Sequence, residues 1–228
     1  MIKKIAIGAS LLCAAGFTQA ATISDTDSIA LTSTNITSTF TLDMFNDMGG
    51  NLVLDSVMLS LSGTIEGDAS LESLDATAAV VSANISAAID LSDMSGTVLS
   101  ASPVVSQTFN ASAFDGTIDF GGTSGTVLNG ITDTFSDMVT YTMPVDLAAF
   151  IGMGSITYDF SAIGSSNGAG AGNLITQFAT RAGAELMITY NYTDNTPPPV
   201  TNVSAPSSVA LLGLSLLGVA GLRRKAKK

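Results

Sequence analysis

Apolar and polar side chains alternate with a period of two along much of the chain. Val57, Leu59, Leu61 and Ile65 alternate with Met58, Ser60, Ser62 and Thr64, and the run ends at Gly67. Ile85, Ala87, Ile89 and Leu91 repeat the pattern, as do Ile118 with Phe120, Val139 with Tyr141 and Met143, and Ile156 with Tyr158 and Phe160. The clearest case is Ala184, Leu186, Ile188, Tyr190 and Tyr192, opposed by Glu185, Thr189 and Asn191. Successive side chains of a strand point to opposite sides, so each apolar set lines one face of a sheet. Serine and threonine suit the other, wetter face.

Gly and Asp/Asn clusters separate these runs, at Met48-Gly49-Gly50-Asn51, at Gly121-Gly122-Thr123-Ser124-Gly125 and from Gly164 to Gly172. Helix-like sequence is confined to Leu74–Ala79 and Leu147–Phe150. Many short strands joined by turns predict an all-β domain, a β-sandwich or jelly roll. No fixed-period repeat is present, which disfavours a solenoid or an adhesin array.

The two ends follow other rules. Met1–Ala20 reads as a secretory signal peptide, with Lys3 and Lys4 before an apolar stretch from Ile5 to Phe17. Thr18-Gln19-Ala20 supplies the small residues of a cleavage site between Ala20 and Ala21. The C-terminal side has three parts in order: a Pro-rich stretch, an apolar run from Val209 to Leu222, and a basic cluster with Arg223, Arg224 and Lys225. As a helix of about 1.5 Å per residue the apolar run reaches about 21 Å, short of a hydrocarbon core of about 30 Å. Snorkelling arginines close part of that gap, and the basic end is expected to stay cytoplasmic. The expected organisation is a signal peptide over 1–20, a β-rich extracytoplasmic domain over 21–194, and a Pro-rich linker with a sorting motif over 195–208. A short transmembrane segment over 209–222 and a basic tail over 223–228 complete it.

Charge sharpens the picture. Arg181 is the one base among residues 21–194, against nineteen acidic residues, which leaves that region at −18. Such a surface lacks the basic footprint that nucleic acid or anionic lipid needs. A solvated acidic face that keeps the protein soluble accounts for it, and attraction of divalent cations is the alternative. The one cysteine, Cys13, falls in the expected leader, so the mature domain depends on sheet and core without disulfides.

The C-terminal tail resembles the PEP-CTERM sorting signal of Gram-negative bacteria. The matching residues are Val203-Ser204-Ala205-Pro206-Ser207-Ser208-Val209-Ala210-Leu211-Leu212-Gly213-Leu214, then Leu217-Gly218 and Arg223-Arg224. Ala205-Pro206-Ser207 stands where the family has Pro-Glu-Pro. The resemblance implies handling by an exosortase-type membrane enzyme, after the Sec translocon and signal peptidase, and a link to exopolysaccharide. A second resemblance is to the choice-of-anchor E domain. It rests on Phe40–Gly50, Leu54–Thr64, Phe114–Gly125, Gly152–Ile156 and Tyr190–Thr193, and it implies a β-rich surface domain without established activity.

Catalytic chemistry finds little support. The sequence has no histidine, which removes Ser-His and Cys-His nucleophile systems and histidine-based zinc sites. Gly164-Ser165-Ser166-Asn167-Gly168 fits G-x-S-x-G, but in a Gly-rich loop with no histidine partner it is a chance match. Gly168-Ala169-Gly170-Ala171-Gly172 lacks G-x-G-x-x-G spacing and reads as a flexible loop. Asp115 and Asp119, four apart on an expected strand, fall on one face and are candidates for Ca²⁺ or a glycosidase pair. The competing reading makes them turn-capping residues bonded to their own backbone. No EF-hand loop and no tryptophan are present. The expectation is a non-catalytic surface or matrix protein without cofactor, with a carbohydrate- or Ca²⁺-binding module as the alternative.

Overall fold

The computed structural model describes residues 19–196, which form two antiparallel sheets. One sheet holds β1 (Gln19–Ser33), β3 (Leu52–Ser73), β7 (Gly125–Tyr141) and β10 (Leu174–Asp194), in the order β1-β10-β3-β7. The other holds β2 (Ile36–Asp43), β4 (Ala79–Asp93), β5 (Gly96–Ala101) and β8 (Ser155–Gly164), in the order β2-β8-β4-β5. Two further strands, β6 (Val104–Ala111) and β9 (Asn167–Ala169), flank the first half of β4 where β5 and β8 have ended. Pro103 falls between β5 and β6, where a residue without an amide proton interrupts a ladder at least cost. The sandwich-like, all-β character expected from the alternation is what the chain adopts.

The inward face is the apolar half of each alternation. Val57, Leu59, Leu61 and Ile65 of β3 and Ala182, Leu186 and Ile188 of β10 are buried, and they join Val81, Ile85, Ile89 and Leu91 of β4 and Phe160 of β8 in one core. Two glycines on β3 set how closely this core packs. A Cβ at Gly67 would lie 2.6 Å from Ile85 Cγ2, so the side chain of the facing sheet fills the room that glycine leaves. At Gly63 the ring of Phe135, its partner on β7, takes the same role. Phe40 and Phe160 meet edge to face with centroids 5.5 Å apart, a favoured aromatic geometry.

Three expectations need correction. The strand that begins before Val57 does not end at Gly67; it continues to Ser73 because β7 and β10 pair with it over nearly its whole length. Leu74–Ala79 is not helical. Six residues seldom nucleate a helix alone, and here the Leu74 amide donates to the Asn173 carbonyl at 2.8 Å while β4 begins at Ala79. Residues 112–124 form a loop, so Ile118 and Phe120 are not on a strand. The helical stretch near Leu147 is present and starts earlier: α1 (Pro144–Leu147) opens on a proline, and a 3-10 turn (Ala148–Phe150) follows.

Aspartates at inward positions close the two seams of the sandwich. Asp25 and Asp27 on β1 stand opposite Ile188 and Leu186. Asp25 accepts from the Asp43 amide at 2.7 Å and Asp27 from the Thr41 amide at 2.9 Å, both on β2 of the other sheet. At the far seam Asp137 of β7 accepts from the Ser100 amide of β5 at 3.2 Å. Each aspartate also takes the amide of the next residue in its own strand, Thr26, Ser28 or Met138. Backbone donors along the exposed edges thus find acceptors without another strand.

Candidate functional site

Both candidate aspartates lie in the loop between β6 and β7, and the loop geometry explains their type. Asp115 accepts from the Thr117 amide at 3.0 Å, and Asp119 from the Gly121 amide at 2.9 Å. Each side chain caps a turn two residues on, and both are exposed. The common strand face expected for them does not exist. Gly116 and Gly122 take positive φ values of 100° and 60°, where a Cβ is costly, and Phe120 follows at 55°. What gathers the loop is a residue the alternation did not single out, Glu72 at the end of β3.

Glu72 is fully buried. Its register position faces away from the core, and the 112–124 loop covers it there. Glu72 Oε1 accepts the Ser124 hydroxyl at 2.7 Å, and Ser124 Oγ in turn accepts the Asp115 amide at 3.3 Å. The Ser73 amide donates to the Ser124 carbonyl at 3.0 Å. Gly125 is required beside it, because a Cβ there would overlap Glu72 Oε2. At the same end of the sandwich Asp75 accepts the Gly172 and Asn173 amides at 2.8 and 2.9 Å. Among the described residues no group of three acidic side chains is placed to hold one metal ion.

The opposite end carries a cleft of about 420 Å³ lined by Asp93, Gly96, Tyr141, Asp146, Phe150 and Tyr158, among others. The β4–β5 turn supplies Asp93 and Gly96, the helical segment Asp146 and Phe150. Tyr141 stacks at a tilt on Phe150, centroids 5.1 Å apart. Burial raises the Tyr141 phenol above its ordinary value, and the nearby Asp93 and Asp146 add to the rise. Burial also raises Tyr158, with Tyr141, Asp93 and Tyr190 contributing in that order. Phenols held protonated beside carboxylates give donors, acceptors and aromatic faces in one recess, a set that suits a neutral polyhydroxylated ligand.

A third, shallower feature follows one row across the first sheet. Ile29, Ala184, Gly63 and Phe135 stand in register on β1, β10, β3 and β7. The small residues in the middle and the larger ones at the ends shape an open groove of about 620 Å³. It holds no convergent set of ionisable groups beyond Glu185.

Other expected sites fall elsewhere. Ala20 and Ala21 pair with Thr193 and Tyr192 in the β1–β10 ladder. The sorting motif Ala205, Pro206 and Ser207, and the basic residues Arg223, Arg224 and Lys225, lie outside the described residues, as does most of the expected leader. Among the described residues no helix is long and apolar enough to cross a membrane.

The fold and its recesses define the class as a two-sheet, all-β domain. No family model and no curated protein matches the chain. Solved structures of infectious bursal disease virus are distantly similar. The T13 viral particle shares 12% identity over 90% of this chain and 47% of its own, with a TM-score of 0.19. The Gx strain shares 15% identity over 94% of this chain and 53% of its own, with a TM-score of 0.11. The chain thus spans about half the length of the viral chains it matches.

Proposed function

We propose that the protein is a non-catalytic, exported component of the bacterial surface or extracellular matrix, displayed on an acidic sandwich. The observation that carries this reading is the placement of the two ends of the described segment. Ala21, the first residue after the expected cleavage, pairs with Tyr192, and the Asn195 amide donates to the Asn51 carbonyl at 3.0 Å, so both ends of the domain leave from one end of the sandwich. The loops bearing Asp75, Asp115 and Asp119 lie at the other end. The 22 residues of β3 separate the two, about 70 Å at roughly 3.3 Å per residue. A domain held from its termini would present those loops outward.

The tripartite tail adds a route: export through the Sec translocon, removal of the leader between Ala20 and Ala21 by signal peptidase, and processing by an exosortase-type enzyme near Ala205-Pro206-Ser207. The protein passes through the inner membrane on the way to the surface of a Gram-negative cell, and exopolysaccharide or biofilm is its setting. The winding supports a jelly-roll form of the sandwich, since every connection between β1 and β10 crosses between the sheets except β4–β5, β5–β6 and β8–β9. Residues 40–64 of the choice-of-anchor E resemblance fall on β2, the turn after it and β3, which suits a surface domain of that kind. The test is fractionation with mass spectrometry of both mature ends. A start at Ala21 and an end between Ala205 and Ser208 support the reading; an intact chain confined to the cytoplasm overturns it.

A second reading, a carbohydrate-binding module, is favoured by the cleft holding Tyr141, Tyr158, Asp93 and Asp146. Retention on immobilised exopolysaccharide that is lost in Tyr141→Ala supports it. Equal retention of the variant removes the cleft from consideration.

A further inference from the structure

Among the described residues one buried group has no counter-charge beside it. Glu72 is fully buried, its Oε1 bonded to Ser124 and its Oε2 without any partner. Burying a carboxylate is far costlier than burying a neutral polar group unless opposite charge or several donors surround it. Among the described residues the sole base is Arg181, and its guanidinium is taken by Glu66 at 2.7 Å and Asp68 at 3.2 Å. Nothing else among the described residues balances a charge on Glu72, and a cation taken from solvent would do so. A bound water or ion is one way such a buried polar atom is satisfied.

The surroundings favour a hard cation. The position a Cβ would take at Gly125 overlaps Glu72 Oε2 and lies 2.6 Å from the Gly121 nitrogen, so the free oxygen and the Phe120–Gly121 peptide border the same small space. That same amide is bonded to Asp119 Oδ1, which brings a second carboxylate to the turn. The side-chain ligands on offer at this turn, carboxylate and hydroxyl, are all oxygen, and neither histidine nor cysteine lies in this loop. Ca²⁺ accepts six to eight oxygens in irregular arrangements and keeps solvent in its shell, whereas Mg²⁺ demands a near-ideal octahedron.

We propose that Glu72 Oε2, with the Asp119 carboxylate and backbone oxygens of the 119–125 turn, binds one Ca²⁺ ion that fastens the β6–β7 loop to the end of β3. With two carboxylates rather than three, affinity falls in the range of extracellular calcium modules, about 10⁻⁴–10⁻³ M. This site stands independently of the export reading and of the tyrosine-lined cleft.

The experiment uses the full chain in detergent, stripped with a chelator and titrated calorimetrically with CaCl₂. The expected result is one site in that range, with a rise in Tm of roughly 5–10 °C when Ca²⁺ exceeds Kd about 100-fold. Glu72→Gln keeps the hydrogen bond from Ser124 and removes the charge, so it should fold without Ca²⁺ and lose at least tenfold in affinity. Asp119→Asn, at an exposed position, should weaken binding without affecting the fold. No heat and no change in Tm for the wild-type chain at about 10 mM Ca²⁺ overturns the proposal. Wild-type affinity in Glu72→Gln does so equally, and if that variant does not fold, wild-type affinity in Asp119→Asn decides against it.

Discussion

The carboxylate of Asp27 on β1 accepts the backbone amide of Thr41 on β2, 2.9 Å away across the seam between the two sheets. Its other oxygen takes the Ser28 amide at 2.8 Å. Asp27→Ala removes both acceptors and should lower stability by about 1–2 kcal/mol. Asp27→Asn keeps one acceptor oxygen and should lose less. Chemical denaturation of the two variants measures the difference; an alanine variant as stable as wild type would show that the seam contact is dispensable.

Removing the device at both seams has a different readout. Asp25→Ala, Asp27→Ala and Asp137→Ala together strip the edges of the acceptors that occupy the Asp43, Thr41 and Ser100 amides. Free edge donors template pairing with other chains. Light scattering of the triple variant should therefore show self-association at concentrations where wild type is monodisperse, and unchanged scattering would count against edge protection.

Gly67 and Ile85 form a second pair across the core. Gly67→Ala forces a Cβ within 2.6 Å of Ile85 Cγ2 and should cost roughly 1–3 kcal/mol. Ile85→Ala alone leaves a cavity costing about 2–5 kcal/mol. Because the added methyl occupies the vacated space, the double variant should be more stable than the sum of the two losses implies. A double-mutant cycle that is strictly additive would place the two side chains in separate environments.

The raised phenols set the alkaline limit. Tyr158 and Tyr190 are both pushed up chiefly by burial, and the half-buried Tyr141 is raised by the same cause. Below the ordinary tyrosine value, near 10, both folded and unfolded chains hold these protons and nothing is lost. Above it the unfolded chain ionises while the folded one does not, so stability falls as pH rises from 10 toward the folded values. Phenolate absorbance should appear late and together with unfolding, and Tyr158→Phe should flatten the alkaline loss. Tyr190→Phe also gives up the bond to the Asp43 carbonyl, 2.7 Å, at about 1 kcal/mol.

Alternation was legible wherever the inward positions are apolar, as on β3, β4, β8 and β10. It failed on β1, whose inward positions run Ala21, Ile23, Asp25, Asp27 and Ile29, and it exposed only the Val139–Tyr141 end of β7, where Asp133 and Asp137 interrupt the rest. The aspartates that break the pattern are the ones that seal or cap the edges, so a local violation of period two marked a tertiary task. Ile118 and Phe120 failed for the opposite reason: two apolar residues in alternation are too few to define a strand when Gly116, Gly121 and Gly122 surround them. Asp115 and Asp119 were singled out by residue type and spacing, and each caps its own turn instead of sharing a strand face. Glu72 was not, because its burial depends on a loop forty residues further on, about which local sequence carries no signal.

The pairing of Ala21 with Tyr192 also decides how the domain bears load. A tether on the C-terminal side of Asp194, with drag applied at the Asp115 loop, would pull along the length of β10 and not across it. The 21 residues of that strand are paired on both sides, to β1 and β3. Their hydrogen bonds would then be strained in parallel as a shear joint, the geometry that resists unzipping, in a domain whose described residues include no cysteine to share the force.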